Sequence, residues 1–323
     1  MTSKERVLTA LRLGKPDRVP FMEWWFDNEI GQGILGRDKY TREEIAEALC
    51  MDGIGTYHGH DVCAEKKISS SGREFEGRGL LASRDDLKMI KMPDPHDPSL
   101  YDGIKQKVEE FGERFFIFTG LCTGIDYLMR GMGLDNFSYA LYDDVKLIED
   151  ILDIYSDWAA ESVLEINKLG VDAIWCPDDF AFTTSLMFSV DVFREIMKPR
   201  MKKVLDNTTL PTLFHCDGNI EPVIGDLVEL GFNGLHPIDP TAMDIASVKK
   251  RWGNKVCLVG NIDLSYTLVR GTPAEVEDEV KTRIETVGYN GGYILCSANS
   301  ITEYCPTENI LAMRDALLKY GEI

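Results

Sequence analysis

Leu210-Pro211-Thr212-Leu213-Phe214-His215-Cys216-Asp217-Gly218-Asn219-Ile220 is the stretch that decides how this chain is read. Residues 210–214 form a short apolar run of β type, and residues 220–230 read as a helix. A histidine, a thiol and a carboxylate therefore stand at a strand-to-helix corner, where α/β barrels keep their chemistry. Two readings are open at this point. The corner can be a functional site, or Asp217-Gly218-Asn219 can be turn and helix-cap chemistry with His215 a core histidine.

Outward from this corner the same unit repeats. Strand-like runs at 114–119, 171–176, 210–215, 231–236, 255–259 and 292–296 alternate with amphipathic helical stretches. Val145, Ile148, Ile151 and Leu152 recur at helical spacing, as do Val276, Val280, Ile284 and Val287. Thr272-Pro273-Ala274-Glu275 and Pro306-Thr307-Glu308 resemble helix starts. Upstream, residues 3–13 predict a helix capped by Ser3, and 18–24 and 52–57 the first two strands. Thr41-x-x-Glu44 between them is a capping-box pattern. Residues 66–83 alternate and carry two glycine turns, which predicts a β-hairpin inserted after the second strand. The sum is about eight β/α units, so the expected fold is one α/β domain over 1–323, a single (α/β)8 TIM barrel.

The chain has 323 residues, 44% of them apolar, enough for a large core. Its 54 acidic against 35 basic residues give a net charge of −19, which argues against nucleic acid and anionic membranes as partners. No apolar run is long enough to span a bilayer and none of signal-peptide type leads the chain. The eight cysteines are scattered without a CxxC pair, which suggests reduced thiols and a cytoplasmic protein.

The carboxyl ends of barrel strands face the active site. There lie Tyr57-His58-Gly59-His60-Asp61, Cys176-Pro177-Asp178-Asp179-Phe180, His215-Cys216-Asp217, His236-Pro237-Ile238-Asp239, Gly260-Asn261-Ile262-Asp263 and Cys296-Ser297-Ala298-Asn299. Four of the five histidines (58, 60, 215, 236) fall on this rim, which points to a polar or metal-binding pocket. Each has a bland alternative: Asp178-Asp179 as helix N-terminal charge, Asn261 and Asn299 as caps, Cys176 and Cys296 as small buried hydrophobes. Phe21, Trp24, Trp25 and Phe26 read mainly as core, with alternation leaving some, such as Trp24, to face a flat substrate.

With these motifs in order, the chain resembles the uroporphyrinogen decarboxylase superfamily, and within it the corrinoid-dependent methyltransferase branch. The resemblance rests on Pro16-Asp17-Arg18-Val19-Pro20-Phe21, Gly170-Val171-Asp172-Ala173-Ile174-Trp175, His215-Cys216-Asp217-Gly218-Asn219, Gly260-Asn261-Ile262-Asp263 and Pro306-Thr307-Glu308-Asn309-Ile310. It implies an (α/β)8 barrel. Decarboxylases of the superfamily bind porphyrinogen carboxylates through an arginine-rich N-terminal segment. Here Phe21-Met22-Glu23-Trp24-Trp25-Phe26-Asp27 is acidic and aromatic, which opposes that substrate. Thiol-methylating members carry zinc on His-x-Cys and a later Cys; this chain has His215-x-Asp217 and, at the later position, Asn299.

The resemblance therefore implies a methyltransferase that moves a methyl group from a small methoxylated donor, foremost an aryl methyl ether, to the cobalamin-type corrinoid of a partner protein. His215, Asp217 and Asp179 are its expected catalytic residues. Trp24, Tyr57, His58, Asp178, Phe180, His236, Asn261 and Asn299 are the expected substrate wall. A zinc ion, if held, is expected on His215 and Asp217 with Cys176 and Cys296. The rivals are a zinc-dependent transferase from methyl-corrinoid to a thiol, and a decarboxylase-like or ligand-binding barrel. A homodimer is an assembly open to any of them.

Overall fold

The computed structural model describes residues 1–69 and 74–323. After β1 (Gly53–Tyr57) comes an antiparallel pair, β2 (Ala64–Ile68) and β3 (Glu74–Gly79). Six more strands follow, each after helical segments: β4 (Phe116–Gly120), β5 (Ala173–Pro177), β6 (Thr212–His215), β7 (Gly234–His236), β8 (Cys257–Val259) and β9 (Tyr293–Ile294). β1 and β4 to β9 form one curled parallel sheet in the order β1-β4-β5-β6-β7-β8-β9, a TIM-barrel-like arrangement. The connection that a hairpin over 66–83 requires falls on residues 70–73, outside the described residues.

The segment read as the first strand, 18–24, is shorter than expected. It makes two parallel bridges, Met22 to Gly53 and Phe21 to Leu295, and so lies between β1 and the end of β9. Asp52 N donates to Phe21 O at 2.7 Å and Met22 N donates to Leu295 O at 3.1 Å. Pro20 has no N–H to give, which limits the ladder to these few bonds.

Side chains alternate across the sheet. Met22, Phe116, Phe118, Trp175, Leu213, Val259, Ile294 and Cys296 share one cluster inside the curl, joined by Val7, Ala10 and Leu11 of the helix Ser3–Leu11. Thr2, rather than Ser3, caps that helix. The intervening residues pack outward in a second cluster against the helices, among them Ile117, Ile174, Cys176, Phe214 and Cys216. Thr41 and Thr272 form the expected capping boxes for the helices Arg42–Ala48 and Pro273–Arg283. The helix expected over 220–230 opens with a 3-10 turn at Glu221–Val223, because Pro222 disfavours the α conformation of the residue before it, and becomes α-helical at Ile224–Glu229.

At the amino end, Asp52 is completely buried. Its carboxylate accepts from Arg6 Nη1 at 2.6 Å, Arg18 Nη1 at 2.8 Å and the backbone N of Phe21 at 2.9 Å. The Asp17-Arg18 motif is thus part of a structural ion network: Arg6 also pairs with Asp17 at 2.6 Å. No helix among the described residues is long and apolar enough to cross a membrane.

Candidate active site

The period of two carries each inner face past its strand into the carboxyl-end loops. Trp175 and Pro177 of β5 lead to Asp179; Leu213 and His215 of β6 lead to Asp217; Met22 leads to Trp24; Gly53 and Gly55 of β1 lead to Tyr57. Trp24, Tyr57, Asp179 and His215 accordingly meet in one cavity of about 610 Å³, with Trp25, Arg42, Asp126 and Arg130 in its wall. A smaller recess of about 140 Å³ shares Trp24, Pro177, Asp179 and His215 and adds Trp175, His236 and Asn299. The Trp24 ring lies 5.5 Å from Trp175 and 6.4 Å from Tyr57, edge-on to the latter. Gly120 makes room for it, since a Cβ there would sit 2.3 Å from Trp24.

Where the two spaces join, His215 Nε2 is 3.8 Å from Asp179 Oδ1 and 3.9 Å from Asp217 Oδ1. The turn after β6 sets this geometry. Asp217 N donates to Asp179 Oδ1 at 2.8 Å, and Asn299 Nδ2 donates to Asp217 Oδ2 at 2.5 Å. Gly218, at φ +83°, lies so close to Phe182 that a Cβ would sit 2.6 Å from its carbonyl oxygen; only glycine fits. Burial pushes the Asp217 carboxyl up to about 6. The charges of Asp179 and Asp239 act in the same direction, while a protonated His215 and the hydrogen bond from Asn299 oppose it.

Behind His215 the site is buried. His215 Nδ1 lies 2.7 Å from His236 Nδ1, and His236 Nε2 lies 3.2 Å from Ser297 O and 3.3 Å from Cys296 Sγ. Burial, with His215 beside it, holds His236 well below the usual histidine range. Glu23 is completely enclosed, its carboxyl receiving Ser297 N at 2.7 Å and lying 2.7 Å from Ser297 Oγ. Ser297 Oγ also contacts the carbonyl of Asn299, which can only accept. One hydroxyl proton cannot serve both oxygens, so a protonated Glu23 completes the set by donating to Ser297 Oγ. Desolvation agrees, raising Glu23 to about 8.

A uroporphyrinogen decarboxylase (URO-D) family profile matches residues 78–320, three quarters of the chain. The chain belongs to the uroporphyrinogen decarboxylase family. Among relatives of this family member, a methylcobamide:CoM methyltransferase MtaA of Methanosarcina barkeri strain Fusaro is 26% identical over 99% of this chain and 98% of its own length. A second methylcobamide:CoM methyltransferase from Methanosarcina barkeri is 27% identical; the chain spans 64% of its length. A uroporphyrinogen decarboxylase of Chlorobium phaeovibrioides is 26% identical, with 63% of its length spanned. In structure, the family fold is shared with a methyltransferase from Methanosarcina mazei at TM-score 0.78, 20% identity and 99% coverage of both chains.

Several expected site residues lie elsewhere, most of them for one reason. His58, Cys176 and Asp178 are the outward members of their alternations. His58 is buried and stacked between Tyr101 and Trp158, ring centroids 4.6 and 4.9 Å away, and His60 stacks on Tyr127 at 3.9 Å. Of the four histidines expected on one rim, only His215 and His236 reach the site. Asp178 caps the start of the helix Ile125–Asp143, accepting from Thr123 N at 2.8 Å and Asp126 N at 3.0 Å. Phe180 packs among Phe188, Phe193 and Phe214 in the outer core. Asn261 is buried too, donating to Ile238 O at 2.6 Å and accepting from Arg283 Nε at 2.9 Å. Sequence reasoning missed Glu23, Ser297 and Arg42. An acid inside the apolar run Phe21-Met22-Glu23-Trp24 was the available signal for the first.

The thiolate zinc set of the family's thiol-methylating members does not fit here. Cys216 Sγ turns outward and accepts from Phe180 N at 3.3 Å, Cys176 lies on the same outer side, and Cys296 faces His236 and Glu23. Asp179, His215 and Asp217 do fit a divalent cation through oxygen and nitrogen. Their donor atoms all lie within 4.8 Å of one another, and among the described residues no Lys or Arg pairs with either carboxylate.

Proposed function

We propose that this chain transfers a methyl group from a small methoxylated donor, foremost an aryl methyl ether, to the corrinoid of a partner protein. The observation that carries this reading is an oxygen-and-nitrogen cluster, free of thiols, opening onto a cavity walled by Trp24, Trp25 and Tyr57. A flat ring packs on those aromatic faces and places its methoxy group at the Asp179–His215–Asp217 junction. As the methyl carbon leaves for the acceptor's reduced cobalt, the C–O bond breaks and its electron pair stays on the phenolic oxygen. Asp217, whose carboxyl holds its proton to about 6, is placed to protonate that oxygen, a contribution of about 10²–10⁴ in rate. With a divalent cation held by Asp179, His215 and Asp217, Asp217 would be ionised and Lewis-acid stabilisation of the same oxygen would take the place of its proton. Arg42 stacks 3.4 Å above the Trp25 ring and, among the described residues, has no carboxylate partner in salt-bridge range, which suits a donor carrying an acidic group.

The relatives called methylcobamide:CoM methyltransferase favour a second reading, transfer from methyl-corrinoid to a thiol. One assay separates the two. Methoxyarenes with reduced cobalamin should give methylcobalamin, seen in its visible spectrum. Methylcobalamin consumed by a thiol, with no demethylation of any methoxyarene, would overturn the first reading in favour of the second.

A further inference from the structure

The hydrogen bonds behind His215 have a polarity that can be counted. His236 Nε2 is 3.2 Å from the Ser297 carbonyl oxygen, and a carbonyl has no proton to give. With Nε2 of His236 carrying its ring proton, the Ser297 carbonyl is its acceptor and Cys296 Sγ, 3.3 Å away, a second one. His236 is buried and, among the described residues, has no carboxylate against its ring, so a second proton on it would be an unpaired buried charge. Its Nδ1 is then a lone pair, and the 2.7 Å contact with His215 Nδ1 requires His215 to donate. That leaves His215 Nε2 bare, facing Asp179 Oδ1 and Asp217 Oδ1 across 3.8 and 3.9 Å. Those gaps exceed a hydrogen bond and are near the separation of donors sharing one ion at about 2.0–2.2 Å each. Left to itself, a histidine between two carboxylates would turn its proton toward them.

We propose that His236, anchored on the Ser297 carbonyl, is a positioning residue that fixes His215 in its Nδ1–H tautomer and so presents the Nε2 lone pair to the Asp179–Asp217 pair as a cation ligand. This rests on the reading of that cluster as a cation site. The same segment places the other ligand, because Asn299 holds Asp217 while Glu23 holds Ser297. A ligand's ring partner of this kind is worth about 10–100-fold in metal affinity.

The test uses metal-free, ¹⁵N-histidine-labelled full-length protein, whose long-range ¹H–¹⁵N spectrum reports each ring's tautomer without metal or donor. His215 should appear protonated on Nδ1 and His236 on Nε2; a His215 protonated on Nε2 overturns the proposal. Co²⁺ titration follows by its visible spectrum. His236→Phe should shift His215 to Nε2–H and weaken Co²⁺ binding about 10–100-fold. His236→Gln, whose amide oxygen can accept from His215 while its NH₂ donates to Ser297 O, should stay within a few-fold of the parent. Equal binding and an unchanged His215 tautomer in His236→Phe would refute the role, and if that variant does not fold, the parent spectrum and His236→Gln decide. If the parent protein binds no Co²⁺, the cation reading fails, and with it the proposed ligand role, whatever the tautomer. Co²⁺ binding as predicted without any methyl transfer leaves the proposal standing and counts only against the methyl-transfer reading.

Discussion

The two ends of the barrel treat their carboxylates in opposite ways. At the amino end, Asp52 is enclosed by two guanidinium groups and a backbone N–H, each charge answered at 2.6–2.9 Å. At the carboxyl end, Asp179 and Asp217 share one imidazole at 3.8–3.9 Å, and Glu23 escapes an unpaired charge only by keeping its proton. Arg6 and Arg18 are fully engaged at the amino end; in the cavity wall Arg130 pairs with Asp126 and Glu76, while Arg42 stands over Trp25 and, among the described residues, has no carboxylate in salt-bridge range. Compensated charge holds the fold; charge left uncompensated in a cavity is available for a ligand and for proton transfer.

The harshest way to probe this contrast is Asp52→Ala. It leaves part-buried Arg18 without its acid and Arg6 with Asp17 alone, and should lower stability by about 3–5 kcal/mol in denaturant melts, with turnover of the remaining folded enzyme unchanged. An undiminished melt would mean the amino-end network is ornamental. His215→Ala and Asp217→Ala should do the reverse, lowering methyl transfer about 10²-fold or more with little change in melting. Parental turnover in either variant would return the corner to turn chemistry.

A pH-graded effect comes next. Glu23 ionises near 8 in the fold against an ordinary 4.5, so the folded state binds the proton more tightly. Its contribution to stability is complete below about 4.5 and is lost as pH rises toward 8. Glu23→Gln keeps an N–H donor toward Ser297 and should remove that slope. The denaturation midpoints of parent and variant at pH 5 and pH 9 measure it, and parallel curves would refute a protonated Glu23. Milder still, Arg42→Gln should raise KM about tenfold for a methoxybenzoate, leave kcat alone and spare a neutral methoxyarene. Equal losses for both donors would place Arg42 outside the recognition of charge. Smallest is the effect of salt on docking. On the proposed reading a corrinoid protein docks over the mouth beside Asp179 and Asp239, so affinity should fall several-fold between low and physiological ionic strength. A flat profile would put the docking face elsewhere. Asp178, once counted on that rim, is buried and takes no part.

Much of this was legible because it is local. Apolar period and proline and glycine punctuation give the alternation of strands and helices, and the spacing of two between His215 and Asp217 makes them share a face whichever way it points. Strand-end position by itself does not fix the phase: His58, Cys176 and Asp178 stand one residue out of phase with Tyr57, Pro177 and Asp179. Phase is set by how a strand sits among its neighbours, and a one-residue change exchanges core for cavity.

By itself, then, the sequence determined the β/α order, the corner at residues 215–219 and the acidic, aromatic character of the first strand segment. Only the tertiary structure decided which charges are answered. Glu23 meets Ser297 across 274 positions, His236 meets Ser297 across 61, and Arg6 meets Asp52 across 46. Backbone conformation responds to neighbours in the chain. Desolvation and hydrogen-bond polarity depend on neighbours in space, and at both ends of this barrel those neighbours come from distant segments.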